Sequence, residues 1–76
     1  MEKQIVILAA RTQEELRAKG ADVEETQCLT VAEAKRRAKY FLTEEYRVAC
    51  EASEKLGYSQ VLVDGSCVAD YFGGAQ

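Results

Sequence analysis

Ser59-Gln60-Val61-Leu62-Val63-Asp64-Gly65-Ser66-Cys67-Val68-Ala69-Asp70 decides the fold, because it reads as two strands joined by a two-residue turn. Asp-Gly is the dipeptide of a type I′ turn, whose two central residues both need positive φ. A turn of that length sets the register of the strands beside it. Counting outward, Val63 faces Ser66, Leu62 faces Cys67, Val61 faces Val68, Gln60 faces Ala69 and Tyr58 faces Tyr71. One face of the hairpin then carries Val61, Val63 and Val68. The other carries Tyr58, Leu62, Cys67, Ala69 and Tyr71, so both faces are expected to be apolar.

Upstream lies a helical stretch. Thr30-Val31-Ala32-Glu33 is a capping box at the head of a periodic segment. Val31, Ala34, Ala38, Phe41 and Leu42 fall on one face of it. Tyr46, Ala49, Cys50, Ser53 and Leu56 continue the stripe to Gly57 without losing phase. Thr43-Glu44-Glu45 is a good helix start, since Thr caps and acids suit the first turn. Residues 31–57 can be one bent helix or two, and two with a jog near Leu42–Thr43 is the preferred reading.

The N-terminal third is less legible. Lys3–Ala9 is a short β-branched run, apolar on both alternating faces, as a strand covered twice would be. Arg11–Lys19 is helix-compatible, with Thr12 and Glu15 as a capping box and Gly20 at the C-terminal cap, although an irregular turn fits too. Val23–Cys28 suits a short edge strand or a loop. These elements predict one α+β domain over residues 1–72. Its sheet is three- or four-stranded, mixed or antiparallel, ends in the C-terminal hairpin and has one face covered by one or two helices. Residues 73–76 read as a flexible tail.

Composition narrows the function. In 76 residues there are 13 Asp and Glu against 10 Lys and Arg, a formal charge of −3, which gives no general attraction to nucleic acid or anionic lipid. No apolar run approaches the roughly 18 residues of a membrane span, and Met1–Gln4 lacks the character of a secretory signal. A cytoplasmic protein of bacterial or phage type is expected. The chain has no His, hence neither the usual general base nor the commonest metal ligand. Cys28, Cys50 and Cys67 have neither zinc-site spacing nor an even count, so they read as small buried hydrophobes. No phosphate-binding glycine loop is present. No cofactor is expected, and no enzymatic activity; a Cys-dependent one is the rival reading.

What remains is recognition. The helices can cover one side of the sheet, and Leu16 and Ala18 are too few to cover the other. A large apolar face calls for a partner, so a protein-interaction or self-associating module is expected, most simply a homodimer. Tyr58, Leu62, Tyr71 and Phe72 are the interface candidates. Two alternatives follow from charge. Lys35, Arg36, Lys39 and Tyr40 could contact phosphate and a stacked base, against the overall charge; Glu33 pairing with Arg37 on a solvated helix explains that patch as well. The acids from Glu14 to Glu54 could instead form the surface of a phage-type inhibitor of a host protein, although bases interrupt them.

Overall fold

The computed structural model describes residues 3–73. Its elements are β1 (Ile5–Ala10), α1 (Gln13–Lys19), β2 (Val23–Glu25), α2 (Val31–Tyr40), α3 (Glu44–Ala49), β3 (Tyr58–Val63) and β4 (Ser66–Phe72). The sheet has four strands in the order β2-β1-β3-β4, and every neighbouring pair is antiparallel. This is the α+β class expected, with the C-terminal hairpin in place. Of the tail, Gly73 donates its N–H to Gly57 O at 3.0 Å, while residues 74–76 lie outside the described part of the chain.

The core forms where β1 and β3 run side by side under α2. Ile5, Ile7, Ala9 and Val61 supply the sheet half, and Ala34, Ala38 and Phe41 supply the helix half. Two alanines one turn apart on α2 let its backbone come close to the sheet. Ser59 is fully buried between them, and its hydroxyl donates to Ala38 O at 2.9 Å, a carbonyl in the last turn of α2 where ladder partners run out.

All three helices start where threonine predicts. Thr12, Thr30 and Thr43 are N-caps whose hydroxyls accept from Glu15, Glu33 and Tyr46 N–H. Glu33 reaches one residue further back than a capping box requires and accepts from Leu29 N at 3.1 Å. The jog between α2 and α3 falls at Leu42–Thr43. There Thr43 Oγ1 donates to Tyr40 O at 2.7 Å and so closes one helix while opening the next.

Three expectations are corrected. The hairpin keeps its turn, with Asp64 at φ 52 and Gly65 at φ 86, and keeps its first two pairs, but Val61 pairs with Ala69 rather than Val68. Val68 is the extra residue of a β-bulge, and beyond it Ser59 meets Tyr71 and Tyr58 meets Phe72. A uniform register would have set Asp70 opposite buried Ser59, inside the core, where an unpaired carboxylate is costly. The bulge turns Asp70 out and turns Ala69 and Tyr71 toward α2.

Second, the helical stripe stops at Ala49 instead of running to Gly57. Glu51 N donates to Val48 O and Ala52 N to Arg47 O, both at 3.0 Å, with Glu51 at φ 56. That is a Schellman termination, with glutamate where glycine usually sits. Third, α1 does more than its composition suggested. Leu16, Gln13 and Arg17 line a groove with Leu8, Tyr58 and Gln60, so α1 covers part of the sheet face away from α2.

Candidate interaction surface

The sheet face opposite α2 is laid out in rows by strand register. Val6, Leu62 and Cys67 form one row across β1, β3 and β4; Leu8, Gln60 and Asp70 form the next; Ala10, Tyr58 and Phe72 the third. α1 lies over the Leu8 and Tyr58 end and bounds a groove of about 420 Å³. The row of Val6 and Leu62 is half-buried, and Phe72 is 60% exposed at the rim. This open face is smaller and more polar than the sequence suggested. The bulge exchanges Ala69 and Tyr71 for Asp70 and Phe72, and α1 covers a part that was expected to be bare.

The four interface candidates are not brought together. Tyr58, Leu62 and Phe72 share the open face, whereas Tyr71 is on the α2 side, where Lys39 Nζ sits 5.3 Å from its ring centroid. The expected Tyr58–Tyr71 pair is replaced by Tyr58 and Phe72, with ring centroids 5.0 Å apart and planes tilted by 52°. Tyr58 is buried, and its hydroxyl donates to Asp70 Oδ2 at 3.3 Å. Burial, and then the Asp70 carboxylate, raise the Tyr58 pKa, because both disfavour a phenolate there.

The basic residues divide around α2. Lys35 and Lys39, one turn apart, occupy the flank toward β4, and both are exposed. Arg36 and Tyr40 lie on its outer side with Glu33 and Arg37. Tyr40 is half-buried, edge-on to Tyr46 at 5.4 Å, and the Arg37 guanidinium stands 5.6 Å from its ring. Its ring is already packed and so is poorly placed to stack on a base. Arg37 itself is structural: it binds Glu25 Oε2 at 3.1 Å and holds α2 to β2.

The cysteines were expected to be buried. Cys28 is half-buried, with its pKa raised by burial and by Glu33 and Glu25, but Cys50 and Cys67 are exposed. Cys67 sits beside the bulge, and its thiol donates to Ala69 O at 3.4 Å. Cys67 is exposed because it stands on the open face of the edge strand β4, and Cys50 because α3 ends early, neither of which spacing reveals. Among the described residues no three Cys, Asp or Glu side chains gather as a metal-ligand group.

A second concavity lies between α3, the segment after it and β2, lined by Tyr46, Cys50 and Leu56 with Arg11 and Arg47. Both guanidinium groups there are engaged within the fold. Arg47 binds Glu44 at 2.6 and 2.9 Å and Ala52 O at 2.8 Å, and Arg11 binds Glu54 at 3.0 Å. These contacts pin the irregular segment from Cys50 to Gly57, a role for Arg47 that helical periodicity gave no sign of. No protein-family model, curated protein or solved structure matches the chain.

Proposed function

We propose that the chain is a small protein-interaction module without chemistry of its own, which contacts a second protein surface through the open face of its sheet. The observation that carries this reading is Phe72, a large aromatic side chain 60% exposed at one end of a face whose other end is the half-buried row of Val6 and Leu62, with Leu8, Gln60 and Asp70 between them. Exposed aromatic side chains beside apolar rows are the usual anchors of protein contacts. A second copy of the chain is the simplest partner, since a two-fold axis places the same apolar patch on both sides. The face is small, so the association is weak, with a Kd on the order of 100 µM, equivalent to roughly −5.5 kcal/mol.

Sedimentation velocity over a concentration series tests this. The expected result is a monomer–dimer equilibrium that disappears in Leu62→Glu, whose new charge would have to be desolvated in the contact. A chain monomeric at about 500 µM, several times that Kd, overturns self-association. A dimer unaffected by Leu62→Glu places the contact elsewhere.

A further inference from the structure

The two edges of the sheet differ. β2 has three residues, and Arg37 ties it to α2. β4 has seven, and among the described residues no strand pairs with its outer side. The Gly73 N–H bonded to Gly57 O fixes which backbone groups are free. Antiparallel pairs alternate between bonded and non-bonded. Counting back from Gly73, Tyr71 is bonded to Ser59, while Asp70 and Phe72 turn their N–H and C=O groups outward. This is an open template along residues 69–73.

The side chains around that edge are asymmetric. On the α2 side stand Lys35 and Lys39, both exposed and, among the described residues, neither within salt-bridge distance of a carboxylate. Lys39 lies over Tyr71, a residue of the edge strand itself, so its ammonium is close to where a further strand would run. On the other side stand the exposed Phe72 ring and, two residues before it, Asp70, whose carboxylate accepts from the Tyr58 hydroxyl. Lysines at an edge also discourage strand addition by a second copy. A two-fold pairing of β4 with itself would set the Lys39 side chains of the two copies near each other, and like charges repel.

We propose that the free edge of β4 accepts an extended peptide as a fifth strand, one whose side chains alternate between acidic, facing Lys35 and Lys39, and apolar, facing Phe72. Main-chain hydrogen bonds to Asp70 and Phe72 supply the general attraction, and the two side-chain rows supply the selection. The site shares Phe72 with the open-face contact but uses the backbone edge of β4 and takes a different partner. It binds a foreign acidic segment at the strand edge rather than a second copy on the sheet face.

The test is a titration of the ¹⁵N-labelled chain, carrying Leu62→Glu to suppress any dimer, with a capped eight-residue peptide of alternating Glu and Val. Expected are saturable shifts at the Asp70, Phe72 and Lys39 amides, lost when the peptide is N-methylated on alternate residues. Lys35→Glu with Lys39→Glu should weaken binding at least about 10-fold, equivalent to some 1.4 kcal/mol. These are exposed positions, and amide shifts of the double variant that change only around residues 35 and 39 show that the fold persists. A peptide of alternating Lys and Val should not bind. No shift at about 1 mM peptide, a concentration that detects affinities near −4 kcal/mol, overturns the proposal. So do equal binding by the N-methylated peptide and shifts confined to Val6 and Leu8. None of these results bears on the dimer, which is read by sedimentation of the unsubstituted chain.

Discussion

At the scale of single residues, several side chains do work that their identity alone does not announce. Ser59 reads as an ordinary polar strand residue, yet it is fully buried and completes the hydrogen bonding of the end of α2. Tyr46 is similar. It lies on the predicted helical stripe, but its environment is set by contacts from three directions: Phe41 at 4.8 Å, Tyr40 at 5.4 Å and the Cys50 thiol. Burial first, and then Cys50, push its pKa up to about 12 from an ordinary value of 10.0. The neutral phenol is therefore favoured in the folded state. Below pH 10 both folded and unfolded forms are neutral and the full stability is present. Above pH 10 the unfolded chain loses its proton first, so stability falls as pH rises toward 12. Urea unfolding at a series of pH values should show this decline, and Tyr46→Phe should make it shallower. An unchanged slope in that variant would assign the alkaline sensitivity to other groups.

At the scale of elements, the starts of helices and the hairpin turn were legible, and the irregularities were not. Thr12, Thr30 and Thr43 cap because a hydroxyl accepting a free N–H is a local interaction, complete within four residues. Asp64-Gly65 turns for an equally local reason. The bulge at Val68 is different: it exists because Asp70 must avoid the place opposite Ser59, which depends on α2 lying over β3. The end of α3 is hidden too, because Glu51 occupies a left-handed position that a sequence reader looks for glycine to mark. That termination yields a prediction. A non-glycine residue in the left-handed region costs about 1–2 kcal/mol, partly offset by the greater chain entropy glycine brings to the unfolded state. Glu51→Gly should therefore stabilise the domain by about 0.5–1 kcal/mol in chemical denaturation. Destabilisation would mean that the glutamate side chain has a role beyond filling the turn.

At the scale of the whole molecule, the expectation of two apolar sheet faces was half right. Alternation in β1 and β3 showed correctly that Val6, Leu8 and Leu62 point away from the main core. It did not show that α1 folds back over Leu8 and Tyr58, since Leu16 is the only large apolar residue of that helix and no sequence pattern aims it. Among the described residues the outcome is one closed face, one face partly roofed by α1, and one long free edge at β4. Of the residues singled out for contact, Leu62 and Phe72 stay on the open face, Tyr58 is sealed beneath Phe72, and Tyr71 belongs to the edge that Lys39 overhangs. Among the described residues no helix is long and apolar enough to cross a membrane.

The measurement that tests contact through the open face most directly is a dilution series of amide NMR spectra, from about 500 µM downward, bracketing a Kd on the order of 100 µM. Concentration-dependent shifts are expected at Val6, Leu8, Leu62 and Phe72, with α2 and α3 unmoved. Spectra that do not change with concentration, or shifts gathered on the outer sides of α2 and α3, would contradict it.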